Sequence, residues 1–326
     1  MHLALRFGPV AIRSACTITM KNVHHYTYTA IALCLLLSAP AGCTKQEAAP
    51  PSGEARERTM QIGLLPEQNL FRQIERYEPL ADYLSKKTGI SINLKILPRY
   101  GNIIDNFVSE KLDGAFFGSF TYPLAHAKLG VKVIGRPIDL NGMSTYHGLI
   151  FVRRDSGITS MRQMKGKRFV FVDKATTAGY LLPLAYFKKN GLDFRTHLRE
   201  TYFSGTHEDA INDVLNRRAD VGAAKNTVYE RLAAGNAAIR NDLVVLERSP
   251  EVPENGLALK KDVDDAVKKA FAEALLSMHN DPEGRIVLRA FGARRFIETT
   301  DADYAPVYKY AREAGLDLAT YDYMNE

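Results

Sequence analysis

From about residue 60 to the C-terminus, two hydrophobic rhythms alternate along the chain. Residues 60–65, 90–97, 114–117 and 131–135 form short apolar or alternating runs, the period of β-strands. Between the first two, Phe71, Ile74, Tyr77, Leu80, Ala81 and Leu84 recur at helical spacing and stop at Gly89. Pro79 inside that pattern predicts a kink or a fresh helix start. A second helix is predicted over about 102–110. A second set of the same kind opens at 146–152. It has strands at 169–172, 201–203, 221–224 and 243–246, and a helix over 206–217. Residues 256–259 read as a return strand, and helices over 263–278, 283–291 and about 303–314 close the chain. Strands alternating with helices predict an α/β fold with mainly parallel sheets. Two such sets joined by two short crossings predict two lobes, and no internal sequence repeat is present.

The stretch from Phe169 to Gly191 organises the second set. Phe169-Val170-Phe171-Val172 is an aromatic and β-branched run. Leu181, Leu184, Ala185 and Phe187 follow at helical spacing, with Gly191 as the stop. Between them lie Thr176, Thr177, Ala178 and Gly179. A helix start presents unpaired N–H groups and the positive end of its dipole, and so attracts anions. The two threonines are expected to add hydroxyl donors, and Gly179 to let a ligand approach the backbone. Taken alone, the pattern is more commonly that of a threonine that simply caps the helix. In open α/β sheets, ligands lie beyond the carboxyl ends of the strands. Ser119 with Tyr122, Thr176 with Thr177, His207 and Lys225 all follow strand ends, and their convergence is an expectation. Tyr100, in the loop after a first-lobe strand, is a further candidate.

Composition changes the picture mainly at the N-terminus. The 326 residues carry a formal charge of +6, from 43 basic and 37 acidic residues. Arg6, Arg13 and Lys21 precede Cys43 with no acidic residue among them, so the remainder is close to neutral. No nucleic-acid footprint is present. The apolar run 30–37, small residues and Ala41-Gly42-Cys43 have the build of a secretory signal peptide over 1–42, with Met20 as an alternative start. Ala-Gly-Cys resembles a lipoprotein lipobox with Cys43 as the lipidated residue, although Pro40 stands where leucine is usual. The polar segment 43–59, with Pro50-Pro51-Ser52-Gly53, reads as a flexible tether. Cys16 and Cys34 lie upstream, so the exported part has no second cysteine for a disulfide, thiolate metal site or nucleophile.

Several segments together resemble the phosphate/phosphite/phosphonate-binding proteins of ABC transporters. They are Phe117-Gly118-Ser119-Phe120-Thr121-Tyr122, Asp155-Ser156-Gly157-Ile158, Lys165-Gly166-Lys167, residues 173–179 with Pro183, His207, and Ala219-Asp220-Val221-Gly222. The resemblance implies a type II periplasmic-binding-protein fold with two hinge crossings. Lobe 1 would comprise 60–150 and 255–326, and lobe 2 residues 151–254. It implies a monomeric binding protein, not an enzyme, and no cofactor. A small oxyanion would be gripped by Thr176, Thr177, Ala178 and Gly179, with Ser119, Tyr122 and His207, and passed to an ABC permease. Ala178 stands where a further serine is frequent. Lys225 departs most, because an acid is often found there. A lysine cannot accept a hydrogen bond. It would add positive charge and favour a fully ionised ligand over an aminoalkyl phosphonate, unless it turns outward to solvent.

Two other classes compete. The same pocket could serve a sensory module that reports to a membrane histidine kinase. An enzyme is the weaker alternative. His207-Glu208 lacks the second histidine four residues on that a zinc helix needs, since Ile211 is there. Neither a Gly-x-Ser-x-Gly elbow nor a Walker loop is present. The acids between Asp262 and Asp265 read as a solvated helix face.

Overall fold

The computed structural model describes residues 58–325. The expected signal peptide over 1–42 and the expected lipidation residue Cys43 lie outside them. Among the described residues, thirteen strands form two main sheets and one short pair. The first sheet is built on three parallel strands, β1 (Thr59–Leu64), β2 (Ser91–Ile96) and β3 (Gly114–Phe117). β4 (Lys132–Asp139) completes the first run of alternating elements. The chain then crosses through β5 (Thr145–Tyr146) into β6 (Gly148–Arg153), the first strand of the second sheet. There β7 (Arg168–Phe171), β8 (Glu200–Phe203) and β9 (Val221–Lys225) run parallel, and β10 (Leu243–Arg248) pairs antiparallel with β6. The return passes through β11 (Val252–Pro253) into β12 (Gly256–Leu259), and β13 (Ala293–Glu298) ends the first sheet.

The sheet orders are β13-β4-β12-β3-β1-β2 and β10-β6-β9-β7-β8. Each sheet therefore has a parallel core of three strands, with antiparallel strands added beside it. The return strand lies between β3 and β4, antiparallel to both. The two crossing segments pair with each other, Tyr146 opposite Val252 and Thr145 opposite Pro253. This pair is the hinge of the two-lobed architecture.

Burial on both sheet faces explains the near-continuous apolar runs. Phe169 and Phe171 pack into a core with Ile150, Val152, Tyr180 and Phe187. The alternate residues Val170 and Val172 face a larger cluster with Phe151, Leu181 and Ile211. In the first lobe, Met60, Ile62 and Leu64 meet Tyr77, Leu80 and Phe271. The helix Leu70–Thr88 is continuous through Pro79 and ends on Gly89 at φ 68°, a left-handed stop that suits glycine. Its start is capped by Asn69, which accepts from the Phe71 N–H. β13 escaped the sequence pattern: Arg294, Arg295 and Glu298 are exposed on this edge strand, so little alternation shows.

Candidate functional site

The candidate site begins where β7 ends. Asp173 is fully buried, and its Oδ1 accepts from the Ala175 N–H at 2.8 Å while its carbonyl accepts from the Thr176 N–H at 2.9 Å. That turn delivers the chain into a widened π-type first turn over Thr177–Leu181, which runs on into the helix Leu182–Lys189. The first internal donors are Leu181, to the Thr176 carbonyl at 3.1 Å, and Leu182, to the Thr177 carbonyl. The N–H groups of residues 177–180 precede them and have no intrahelical acceptor.

A small cavity lies against this turn. Thr176, Thr177, His207 and Lys225 line it from the second lobe, and Glu67, Tyr100, Gly118 and Asn255 line it from first-lobe strand ends and the return crossing. Tyr146, on the hinge pair, forms another wall. The location is the carboxyl ends of β1, β2 and β3 facing those of β7, β8 and β9, where the topology predicts a ligand. The loop after β1 spans the two lobes through three successive residues. Glu67 reaches Lys225, Gln68 accepts from Arg231 Nη1 at 2.6 Å, and the Asn69 N–H donates to Glu208 at 2.9 Å.

The expected residues have different fates. Thr177 and Tyr100 face the cavity. Tyr100 is 3% exposed, and its hydroxyl is buried with no hydrogen-bond partner among the described residues. Its ring meets His207 edge-on at 6.0 Å. His207 opens the helix His207–Leu215, whose start is capped by Thr206 accepting from the Asp209 N–H at 2.9 Å. The buried imidazole accepts the Lys225 N–H at Nδ1, 3.3 Å away, which leaves the proton on Nε2 as a donor. Burial pushes its pKa down to about 4; Glu67 pulls it up and the Lys225 charge pushes it further down. The group is therefore a neutral hydrogen-bond donor at neutral pH.

Thr176 lines the same cavity, but its hydroxyl hydrogen goes to the Asp173 carbonyl at 2.7 Å. It shapes the turn and offers only an acceptor. Ser119 lies one layer behind. Its Oγ donates to the Pro253 carbonyl and sits 3.0 Å from Tyr146 Oη, so it fixes the tyrosine that forms the wall. Ala178 turns the other way, packing against Gly148 of β6. Gly179 is required by helix–strand packing. A Cβ there would overlap Val172 and stand 2.7 Å from Thr176 Oγ1. Tyr122 is not brought to the cavity. Its ring packs at 4.4 Å on Tyr304 and 5.7 Å from His126, in the first-lobe core.

Lys225 is the largest revision. It is 2% exposed and points inward, ruling out the solvent-facing alternative. Its ammonium is held by Glu254 Oε1 at 2.6 Å, Glu67 Oε1 at 3.1 Å and Asn255 Oδ1 at 3.3 Å. The ring of Tyr146 lies 4.4 Å below it. Burial would lower the lysine pKa, but Glu254 and Glu67 raise it overall. Burial likewise opposes the ionisation of Glu67, yet Lys225, with Arg76 and His207 beyond, brings that carboxyl down to about 2. The charge of Lys225 is thus taken up by two carboxylates instead of being offered to a ligand. Glu67, Tyr146, Glu254 and Asn255 were missed by sequence reasoning. The available signal was an acid directly after a strand end, Leu65-Pro66-Glu67, and Glu254-Asn255 directly before a return strand.

What the arrangement can do is clear from its donors. Neutral groups converge here: the N–H groups opening a helix, the Thr177 and Tyr100 hydroxyls and the His207 Nε2–H. Such a set suits a small oxyanion. Among the described residues no cluster of His, Cys, Asp or Glu could hold a metal ion, and no helix is long and apolar enough to cross a membrane.

Comparison with known proteins agrees. Residues 62–304 match the family described as "ABC transporter, phosphonate, periplasmic substrate-binding protein". The phosphate-import protein of Mycolicibacterium smegmatis is 27% identical over 308 residues, covering 87% of this chain and 94% of the relative. The phosphonates-binding periplasmic protein of Escherichia coli is 23% identical over 267 residues, 80% of this chain and 78% of the relative. The fold matches the crystal structure of a phosphonate-transporter binding protein from Pseudomonas aeruginosa, with TM-score 0.74, 23% identity and coverage of 79% and 87%. It also matches a Prochlorococcus marinus protein solved with methylphosphonate, with TM-score 0.72, 20% identity and coverage of 79% and 99%. With three quarters of its length matched and both lobes accounted for, this chain belongs to the family of periplasmic substrate-binding proteins of phosphonate ABC transporters.

Proposed function

We propose that this protein captures a small phosphorus oxyanion, of the phosphate, phosphite or phosphonate class, between its lobes and presents it to an ABC permease. The observation that carries this reading is the Tyr100 hydroxyl, buried and without a partner among the described residues, beside the helix start at Thr177, whose first N–H groups have no intrahelical acceptor. A buried hydroxyl without a partner costs about 1–3 kcal/mol. A ligand oxygen would satisfy it together with Thr177 and the His207 Nε2–H. The relatives' names support the class: one imports phosphate, one binds phosphonates, and one is a probable phosphite binder.

Binding then proceeds without chemistry, as in the solute-binding relatives. Ligand contacts from both lobes would favour the closed form, with the paired crossings β5 and β11 serving as the hinge. A lipid on Cys43 and the tether 43–59 would keep the monomer beside its permease. The test is Tyr100→Phe. Removing a hydroxyl that has no protein partner should leave the unliganded fold as stable or slightly more so. It should weaken methylphosphonate or phosphate binding by about 1–2 kcal/mol in calorimetric titration. A variant that binds these anions unchanged would remove Tyr100, and with it the carrying observation, from the reading.

A further inference from the structure

The surroundings of Lys225 form a complete ammonium site. An alkylammonium has three N–H donors. Here they meet Glu254 Oε1, Glu67 Oε1 and Asn255 Oδ1, and an aromatic face closes the remaining side. Asn255 is oriented for this by its own Nδ2–H, which donates to Glu67 Oε1 at 2.8 Å. All three acceptors come from loops of the first sheet and its return crossing, whereas Lys225 ends β9 of the second. The acceptors are therefore assembled independently of the strand that carries the cation. The nest also lies within a short reach of the anion site. Tyr146 presents its ring face to the Lys225 ammonium, and its phenol, 3.0 Å from Ser119 Oγ, lines the same cavity as Thr177.

We propose that Lys225 is a tethered ammonium occupying a ligand subsite, and that it sets specificity by excluding aminoalkyl phosphonates. With no N–H left for the ligand, it neither grips the oxyanion nor frees Glu67 and Glu254 for a ligand's amine. A phosphonate bearing a two-carbon amine would place a second cation where one is already held. Shortening residue 225 would empty the nest while leaving Thr177, Tyr100 and His207 in place. The expected result is a switch: a protein that prefers methylphosphonate becomes one that prefers 2-aminoethylphosphonate.

This inference rests on the phosphonate reading of the anion site, so the experiment separates the two. Wild type, Lys225→Ala and the triple variant Lys225→Ala/Glu67→Gln/Glu254→Gln are titrated with methylphosphonate, ethylphosphonate, 2-aminoethylphosphonate and ethylammonium. Wild type should bind methylphosphonate and be at least tenfold weaker for 2-aminoethylphosphonate. Lys225→Ala should reverse that order, binding the amine at least tenfold tighter than ethylphosphonate, and the triple variant should lose the gain. Lys225→Ala leaves two buried carboxylates unpaired, which lowers its stability. Its melting temperature is therefore followed as well, and 2-aminoethylphosphonate or ethylammonium should raise it where ethylphosphonate does not. Rescue by ethylammonium with no phosphonate bound by any form would uphold the nest and overturn the anion reading. Equal response of Lys225→Ala to the amine and to ethylphosphonate, with methylphosphonate still bound, would overturn the proposal alone.

Discussion

His207 ties the stability of this fold to pH through one buried imidazole. Its pKa falls from the ordinary 6.5 to about 4 on folding, chiefly because burial disfavours the cation. Above 6.5 neither state binds the proton. Between about 6.5 and 4 the unfolded chain binds it and the folded chain does not, so stability is lost as pH falls through that window. At about 1.4 kcal/mol per unit, the whole shift amounts to about 3 kcal/mol, with about 2.5 kcal/mol of it between pH 7.5 and 4.5. His207→Asn removes the titration while retaining an acceptor for the Lys225 N–H. Urea unfolding of both proteins across that range is the assay. Carboxylates that titrate in both cancel in the difference, and Glu67, held down to about 2, stays ionised throughout. The stability advantage of wild type over variant should shrink by about 2.5 kcal/mol on going to pH 4.5. Parallel curves would show that His207 is not buried in this environment, and would remove the neutral Nε2–H donor from the site.

Two further changes test how the site is built. Gly179→Ala drives a Cβ into Val172 and Thr176, so it should cost at least about 1–3 kcal/mol of stability and weaken anion binding by displacing the helix start. Thermal melting and calorimetry report both, and a normal melt with normal binding would contradict the packing described. Lys225→Met removes the cation from Glu67 and Glu254, a buried broken pair that should cost about 3–5 kcal/mol in urea unfolding; a loss under about 1 kcal/mol would mean the two acids find water instead.

Much of the architecture is legible along the chain because it is local. Val170 and Val172 face one cluster and Phe169 and Phe171 the other, so the β7 pattern survives as an unbroken apolar run. The hydroxyl-rich turn after it is likewise local, and Thr177 stands where a helix-start donor was expected. What the sequence conceals is set by distant partners. Tyr122 follows a strand end as the other candidates do, yet its ring is captured by Tyr304, contributed from the far end of the chain. Thr176 and Thr177 are adjacent and chemically alike, but the Asp173 carbonyl claims one hydroxyl hydrogen. Lys225 looked like an added positive charge because Glu67 and Glu254, which neutralise it, lie 158 and 29 residues away. The packing demand on Gly179 is equally hidden, because the Val172 side chain fills the space a Cβ would take.

The central claim is that a helix start at Thr177, completed by Tyr100 and His207, holds a phosphorus oxyanion between the lobes. A crystal structure grown with excess methylphosphonate examines it directly. The account predicts density for the phosphonate oxygens within hydrogen-bonding distance of Thr177 Oγ1, Tyr100 Oη and the N–H groups of residues 178–180. Methylphosphonate density at another place, with Tyr100 Oη still lacking a partner, would contradict it.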